Sequence, residues 1–328
     1  MPSGEDHLIE RFFRPLAWHP GAIQLLDDAA MLEPPMGSDL VLTTDAVIAG
    51  VHFFPSDPPD AIAKKALRTN LSDLAAKGAE PLGFLLTLAL PREIEDKWIA
   101  SFADGLGADC KAYGCPLLGG DTDRTHGLLS VSITAFGHVP HGKMVQRAGA
   151  KPGEAIVVTG TIGDAALGLL LRREPQRAER MGLSLSERAH VIGRYLLPEP
   201  RIALAVALRE HASAAIDISD GLVGDLMKLA AASGVSARVE ISRLPLSHAA
   251  NKIFLAEPKL IETIATGGDD YEILAVVPQA ALSALHKVAK KSGIALTEIG
   301  AIGTGEGVEI LGPNKRPMQF QRPSFSHF

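Results

Sequence analysis

The chain has 328 residues, of which 46% are hydrophobic and 21% are charged, and its formal net charge is −6. This composition predicts a globular protein with room for two domains, and the negative charge disfavours a nucleic-acid or anionic-membrane surface. The apolar run at residues 83–90 is too short to span a bilayer, and the first 14 residues lack a signal-peptide core. The two cysteines provide neither a disulfide framework nor a zinc site, so we expect buried thiols in a cytoplasmic protein.

Strand-like and helix-like segments alternate along the chain, which predicts an α/β fold, or α+β layers. For the first half the pattern predicts a strand over 39–44 ending at Asp45, a helix over 58–78, a strand over 83–90, a helix over 93–113, a short strand into Gly119-Gly120-Asp121 and a strand over 128–139. A turn at residues 151–154 opens a second unit. We therefore expect domains at 1–150 and 151–328.

The second half continues the same alternation. The pattern predicts a strand over 155–159, a helix from Asp164, a charged surface segment over 172–189, a strand over 214–218, a helix capped by Ser219 or Asp220, a strand over 271–277, a helix ending near Lys291 and a short β tail. Because strand, acidic residue and helix recur in both halves, the sequence predicts two domains that meet at one site.

Acidic side chains recur where strands are predicted to end or where glycine is adjacent. They are Asp27-Asp28, Asp45, Asp73, Asp121, Asp217, Asp220 and Asp269-Asp270. Clustered carboxylates repel one another unless cations neutralise them, and hard oxygen ligands select hard cations. The pattern therefore predicts several bound Mg²⁺ ions, whose commonest use together is to hold phosphates.

The common phosphate-binding and hydrolase motifs are absent from the sequence. It contains no P-loop, no Gly-x-Ser-x-Gly elbow and no His-Glu-x-x-His motif. Gly160-x-x-Gly163 lacks the dinucleotide fingerprint, so it favours a strand-to-helix turn. Phosphate binding would then rest on metal ions, backbone N–H groups and a few cations.

Each candidate site has an ordinary structural explanation when it is taken alone. The alternatives are a helix N-cap at 217–220, a turn at 119–122, an Asx-turn or capping box at Asp45, a turn residue at His52 and a surface cation at Arg147. Asp73 is harder to explain in this way, because an unpaired carboxylate on a half-buried helix face is costly. The set as a whole favours a functional site.

Taken together, the motifs resemble the thiamine-monophosphate kinase family, in the superfamily that includes aminoimidazole ribonucleotide synthetase and selenophosphate synthetase. The resemblance covers nearly the whole chain and rests, in chain order, on residues 43–45, 49–53, 70–79, 118–122, 147–153, 216–222 and 267–272. The order of these motifs is specific, and the stretch around His52 and the motif Gly267-Gly268-Asp269-Asp270-Tyr271-Glu272 favour this family over other members of the superfamily. The ending Ser326-His327-Phe328 is also similar to the usual ending of the family.

The resemblance implies ATP-dependent phosphorylation of thiamine monophosphate to thiamine diphosphate by direct in-line transfer, with several Mg²⁺ ions. It also implies an N-terminal α/β domain whose strands form a homodimer, a C-terminal α/β domain, and ATP between the two. No essential general base is expected, since the attacking phosphate is already anionic.

The same resemblance implies a role for each matching residue. Metal ligands would be Asp27, Thr43, Thr44, Asp45, Asp73, Asp121, Asp217 and Asp220. Contacts to ATP would come from Tyr113, Gly120, Asp121, Arg147 and Ser219. Contacts to the thiamine phosphate would come from His52, Asp269 and Phe320, with Phe325 as the second candidate for the aromatic contact.

The sequence departs from the family pattern at three residues in two segments. Leu25-Leu26 stand where the family usually has glycines, and Asp269 stands where it usually has Glu. Two alternative functions therefore stay open: another ATP-dependent enzyme of the superfamily, such as an aminoimidazole ribonucleotide synthetase, or a non-catalytic nucleotide-binding or metal-binding relative. Selenophosphate synthetase is disfavoured, because no cysteine lies near the N-terminus.

Overall fold

The structure is a computed structural model that describes residues 4–325, without the side chains of residues 4 and 5, so that the ending Ser326-His327-Phe328 lies outside it. The described chain divides into two compact units. Unit 1 consists of the residues up to Leu74 together with Ala79–Lys143, and unit 2 of Ala75–Gly78 together with the residues from Met144 onward. Each unit contains one mixed sheet and several helices, which confirms the predicted α/β fold class.

Unit 1 is built on a four-stranded sheet in the order β1-β4-β2-β3. The elements that begin in this part of the chain are α1 (Gly4–Leu8), β1 (Ser38–Ile48), α2 (Pro59–Ala76), β2 (Glu80–Pro91), α3 (Asp96–Tyr113), β3 (Leu117–Thr125) and β4 (Ser130–Pro140). Strand β4 is antiparallel to both β1 and β2, whereas β3 is parallel to β2. Alternate residues of β2, namely Phe84, Leu86, Leu88 and Leu90, are buried, so the core lies on that face of the sheet.

Two strands of unit 1 extend past the acidic residues at which the sequence predicted them to end. The prediction that a strand ends at Asp45 is wrong, because β1 continues to Ile48 with Asp45 paired to Ile133. Gly119–Asp121 likewise lie inside β3, where Asp121 pairs with Thr87. Both acids are exposed, and both β1 and β3 are edge strands. An edge strand tolerates a charge that a central strand would have to bury.

Unit 2 is built on a six-stranded sheet in the order β10-β7-β9-β5-β8-β6. Its strands are β5 (Ala155–Thr159), β6 (Ala214–Asp217), β7 (Ser236–Glu240), β8 (Ile273–Val277), β9 (Leu296–Gly303) and β10 (Gly307–Leu311). Its helices are α4 (Asp164–Arg173), α5 (Gln176–Arg180), α6 (Leu185–Leu196), α7 (Ala205–His211), α8 (Leu222–Ser233), α9 (His248–Ala256), α10 (Ile261–Thr266) and α11 (Leu282–Lys291).

The central strands of unit 2 are buried on both faces. Every residue of β5 and β8 is buried. Ile156 and Val158 belong to one apolar cluster together with residues of α8, whereas Val157 belongs to a second cluster with residues of α7 and α11. This arrangement explains why the β5 sequence is a continuous apolar run rather than an alternating one. Across residues 4–325, no helix is long and apolar enough to cross a membrane.

Candidate active site

A pocket of about 660 Å³ in unit 1 brings together predicted residues that are far apart in the sequence. Its polar lining includes Asp27, Gly120 and Asp121, and its apolar lining includes Leu118 and Phe136. Gly120 has a φ of 155°, and a Cβ at this position would lie 1.8 Å from the carbonyl oxygen of Leu86. Only glycine fits this close approach to the neighbouring strand, and it places Gly120 in the pocket lining beside Asp121.

The loop before Asp27 takes a left-handed conformation without any glycine. Ile23, Gln24 and Leu25 have φ values of 49°, 56° and 57°. This region costs about 1–2 kcal/mol for each residue other than glycine, so the surrounding contacts must hold the loop. Arg14 Nε donates to the carbonyl oxygen of Gln24 at 3.1 Å. Of the two leucines that stand in place of glycine, Leu25 has a positive φ, whereas Leu26 has a φ of −107°.

Strand β1 and helix α2 hold a second group of predicted residues. Thr43 Oγ1 donates to Asp73 Oδ2 at 2.5 Å, and the backbone N–H of Asp45 donates to Asn70 Oδ1 at 3.1 Å. Because side chains alternate along a strand, Thr43 and Asp45 lie on the same face of β1. Thr44 lies on the opposite face, where its hydroxyl is 3.0 Å from that of Thr134.

Asn70 is a polar residue on α2 that is buried beside the predicted site residues. Its side chain is fully buried, it accepts from Asp45, and its Nδ2 donates to the carbonyl oxygen of Ala66 at 3.0 Å. A buried amide needs such partners, because burial without them would be costly. Asn70 therefore fixes the backbone at Asp45 one helical turn from Asp73.

His52 and Tyr113 are both oriented by neighbours within unit 1. His52 Nδ1 accepts from the backbone N–H of Ile48 at 3.0 Å, which places the ring proton on Nε2 in the neutral imidazole. Tyr113 is the last residue of α3, and the guanidinium of Arg68 lies 5.9 Å from the centre of its ring. Arg68 is in turn fixed by two hydrogen bonds to the buried carboxylate of Asp109, at 2.6 and 2.9 Å.

In unit 2 the segments around Asp217 and Asp269 are joined by backbone hydrogen bonds. The N–H of Ile218 donates to the carbonyl oxygen of Glu272 at 2.8 Å, that of Tyr271 donates to Ile218 at 2.8 Å, and that of Asp269 donates to Ser219 at 2.9 Å. Asp269 has a φ of 72° and Tyr271 a φ of 50°. The predicted residues Asp217, Ser219, Asp220 and Asp269 therefore belong to one connected region.

The prediction that Ser219 or Asp220 caps α8 is wrong. The N-cap residue is Gly221, at a φ of 117°, and it makes no side-chain capping bond. Instead Asp225, inside the helix, accepts from the backbone N–H groups of Ser219 at 3.1 Å and Asp220 at 3.0 Å. The loop is therefore capped by a carboxylate of the helix that follows, and neither Ser219 nor Asp220 serves as the cap.

Sequence reasoning missed Asp225 and its neighbour Lys228. Asp225 is fully buried, and this burial raises the pKa of its carboxyl group despite the opposing effect of the Lys228 ammonium. Lys228 Nζ donates to Asp220 at 2.6 Å and to Asp225 at 2.8 Å. The available signal was the spacing of Asp225 and Lys228, since residues three apart share a helix face.

Glu272 is the centre of a buried ionic group behind the Asp269 segment. Its carboxylate is fully buried and accepts from Thr159 Oγ1 at 2.6 Å, from Arg194 at 2.9 Å and from Arg201 Nε at 2.6 Å. A second hydrogen bond from Arg201 makes that contact bidentate. This geometry anchors the chain just after Asp269, a role that the motif alone did not reveal.

Asp270 is anchored in a different way. It is almost fully buried, and its carboxylate accepts from the backbone N–H groups of Gly163 at 2.6 Å and Ala165 at 3.3 Å. Burial raises the pKa of Asp270 well above its usual range, and the nearby Asp164 adds to this effect. Asp270 therefore supports the turn into α4 rather than facing solvent.

The remaining predicted residues of unit 2 differ in their exposure. Arg147 is exposed, and its carbonyl oxygen accepts from Ser233 Oγ at 3.0 Å. Phe320 is half-buried and packs against the apolar cluster that includes residues of β5 and α8. Phe325 has 49% of its surface exposed, and its backbone N–H donates to the carbonyl oxygen of Asp220 at 3.0 Å. Of the two candidate aromatic residues, Phe325 is thus the one that is hydrogen-bonded to the loop at residues 218–221, which we call the acidic loop.

The donor chemistry of these places suits a hard cation. Asp27 and Asp121 line the same pocket, and Thr43 donates a hydrogen bond to the Asp73 carboxylate. Oxygen donors of this kind favour Mg²⁺ over zinc or copper. Within residues 4–325, however, no group of three or more His, Cys, Asp or Glu side chains forms a ready-made metal cluster. In this part of the chain the carboxylates occur as separate small groups.

Two family models match the chain and define its class. The model described as AIR synthase related protein, N-terminal domain, matches residues 26–139, and the corresponding C-terminal domain model matches residues 151–312. Together the two matches cover most of the chain, which therefore belongs to the AIR synthase related proteins.

Relatives within this class identify the family more closely. Thiamine-monophosphate kinase from Caulobacter vibrioides is 44% identical over 311 residues, which cover 94% of this chain and 86% of the relative. The crystal structure of thiamine-monophosphate kinase from Stenotrophomonas maltophilia is 41% identical, with a TM-score of 0.80 and coverage of 87% and 89%. The structure of AaThiL complexed with AMPPCP and TMP is 32% identical, with a TM-score of 0.77 and coverage of 92% and 91%. This chain belongs to the thiamine-monophosphate kinase family, as its motifs predicted.

Proposed function

We propose that this chain transfers the γ-phosphoryl group of ATP to the phosphate of thiamine monophosphate and so produces thiamine diphosphate. The observation that carries the proposal is the match over 92% of the chain to AaThiL, whose structure holds AMPPCP and TMP. AMPPCP is an analogue of ATP, so that relative carries both a nucleotide and a phosphate acceptor. The shared kinase name of the relatives disfavours the alternative of an aminoimidazole ribonucleotide synthetase.

Mg²⁺ ions would be held by the oxygen donors of both units. In unit 1 these are Asp27, Thr43, Thr44, Asp45, Asp73 and Asp121, and in unit 2 they are Asp217 and Asp220. When bound, the ions would neutralise the charge of the phosphates, which otherwise repel the carboxylates. The Thr43–Asp73 hydrogen bond at 2.5 Å supports this assignment, because it already orients one carboxylate oxygen on α2.

The chain's own residues would bind and align the two phosphate groups. Gly120, Tyr113, Arg147 and Ser219 would contact ATP, and the Arg147 guanidinium can bind a phosphate through two N–H groups. The backbone N–H groups of Ser219 and Asp220 already donate to Asp225. Nucleotide binding at Ser219 would therefore use its hydroxyl group.

His52 and Asp269 would bind the acceptor. The neutral His52 ring offers its Nε2–H as a hydrogen-bond donor, since Nδ1 accepts from Ile48 at 3.0 Å. The acceptor phosphate is anionic and attacks without losing a proton, so His52 would orient it and would not act as a base. For the aromatic contact with the thiazole or pyrimidine ring we assign Phe325 ahead of Phe320, because Phe325 is bonded to the acidic loop at Asp220.

We also propose that the protein acts as a cytoplasmic homodimer. Strand β1 is an 11-residue edge strand, and its outward face exposes 39% of Leu40 and 60% of Leu42. A long edge with exposed apolar side chains usually needs a cover. A second copy of this chain would supply one, and light scattering at micromolar concentration should give twice the mass of the chain. A monomeric mass would contradict this part of the proposal.

The activity is tested by measuring ADP formation by the purified chain with Mg²⁺, ATP and one of three acceptors. We expect ADP with thiamine monophosphate and none with thiamine or with adenosine monophosphate. Nucleotide binding without ADP formation on thiamine monophosphate would favour the non-catalytic alternative. Asp217→Asn is the companion variant, since loss of this carboxylate should raise the Mg²⁺ concentration that half-maximal activity requires.

A further inference from the structure

Lys228 lies where a cation would be needed at the acidic loop of unit 2. Its Nζ donates to Asp220 Oδ2 at 2.6 Å and to Asp225 Oδ1 at 2.8 Å. Asp225 and Lys228 are three residues apart on α8, so they share one face of the helix. The ammonium therefore bridges a carboxylate of the loop and a carboxylate of the helix.

The two ends of this bridge differ in how firmly they are held. Asp225 has no exposed side-chain surface, and its other oxygen accepts from two backbone N–H groups of the loop. The Asp220 side chain is 36% exposed and that of Lys228 is 41% exposed. The lysine stem is flexible and its head is strongly hydrated. The ammonium can thus leave Asp220 without disturbing the bonds that Asp225 makes to the loop.

We propose that Lys228 is a resident counter-cation on Asp220, which a divalent ion must displace and which therefore weakens the affinity of this carboxylate for the ion. The inference rests on the assignment of Asp220 as a metal ligand in the proposed function. It adds that this site is occupied by the protein's own charge before the ion arrives.

Geometry and charge both make the two cations compete. Mg²⁺ binds a carboxylate oxygen at about 2.0–2.1 Å, and such an ion would take the position from which the ammonium now donates to Oδ2. After displacement the ammonium would still be held by Asp225, where its positive charge repels a divalent ion. Removal of the ammonium should therefore tighten ion binding at Asp220, whereas removal of Asp220 should abolish the effect.

The test uses Mn²⁺ in place of Mg²⁺, because free Mn²⁺ can be measured by electron paramagnetic resonance without nucleotide or turnover. Lys228→Gln should bind one Mn²⁺ about two- to fivefold more tightly than the parent, since an ion pair as exposed as Lys228–Asp220 contributes at most about a factor of five to an equilibrium constant. Lys228→Arg keeps the positive charge and should bind Mn²⁺ like the parent. In the double variant Lys228→Gln with Asp220→Asn, the gain should disappear.

Three results would overturn the proposal. The first is an Mn²⁺ affinity in Lys228→Gln that equals that of the parent, or no Mn²⁺ binding by either of these two proteins. The second is a gain in Mn²⁺ affinity in Lys228→Arg that equals the gain in Lys228→Gln. The third is a gain in Mn²⁺ affinity that persists in the double variant without the Asp220 carboxylate. Lys228→Met, which keeps the apolar stem, replaces the Gln variant if that protein does not fold. Kinase activity is assayed separately, so an inactive enzyme with the expected Mn²⁺ shift would contradict the proposed function alone.

Discussion

Replacement of Glu272 by Gln tests whether the ionic group behind the Asp269 segment holds unit 2 together. The Glu272 side chain has no exposed surface, and its partners Arg194 and Arg201 are 8% and 14% exposed. Glutamine keeps the shape and removes the negative charge. Arg194 and Arg201 then keep one carboxylate partner among the residues that the structure describes, the half-exposed Glu199.

The expected loss is large. Breaking a buried ion pair by removing one partner costs about 3–5 kcal/mol, and the whole stability of a domain is about 5–15 kcal/mol. The matched control is Glu309→Gln, whose partner Arg238 lies 2.6 Å away in the same unit but is 68% exposed. Exposed pairs contribute about 0–1 kcal/mol. The two variants remove the same charge and differ in burial.

The measurement is urea unfolding followed by circular dichroism, with hydrogen exchange at β8 as the local reporter. Both tryptophans, Trp18 and Trp98, lie in unit 1. Their fluorescence therefore follows unit 1, whereas the amides of β8 follow unit 2. A loss below about 1 kcal/mol in Glu272→Gln, or one equal to that of Glu309→Gln, would refute the assignment of the buried group as a main anchor.

Three further expectations follow from the site. Asp45→Asn should lower activity strongly at limiting Mg²⁺ and less at saturating Mg²⁺. The control is Asp123→Asn, which changes an exposed acid on β3 without an assigned role and should leave the Mg²⁺ dependence of activity unchanged. Equal Mg²⁺ profiles of the two variants would contradict the metal assignment. His52→Gln should raise KM for thiamine monophosphate and lower kcat by less than about 100-fold. An essential general base typically contributes about 100-fold or more to the rate, so its removal would cost more than this. Complete loss of turnover with unchanged substrate binding would show that His52 is an essential base. Burial raises the pKa of Asp270 well above 3.8, so its favourable contribution to stability is present below that value and is lost as the pH rises through the raised pKa. The free energy of unfolding of the parent relative to Asp270→Asn should therefore fall as the pH rises above 3.8, and a difference that stays constant across urea titrations at rising pH would contradict the shift.

Local sequence patterns predicted those parts of the fold that depend on local physics. The apolar run of β5 matches its predicted bounds at Ala155–Thr159, because a strand buried on both faces leaves a continuous signal. The ends of β1 and β3 were wrong, since the pattern does not show which strands lie at a sheet edge, where Asp45 and Asp121 can continue a strand without burial.

The candidate site also has a part that the sequence could indicate and a part that it could not. The motifs predicted which residue types belong to it, and the structure places Asp27 in one pocket with Asp121. The supporting residues could not be predicted, because their partners are distant in the chain. Glu272 is separated from Arg194 by 78 positions and from Arg201 by 71. The capping prediction failed for a related reason, because Asp225 reaches back to the loop and replaces Ser219 and Asp220 as the local carboxylate.

The most direct test of the account follows the phosphoryl group itself. Purified protein is incubated with Mg²⁺, thiamine monophosphate and ATP labelled in its γ-phosphate, and the products are separated by chromatography. We expect the label in the terminal phosphate of thiamine diphosphate, only when all components are present, with a large reduction in Asp217→Asn. Label released as inorganic phosphate, or no consumption of ATP, would contradict the proposed direct transfer.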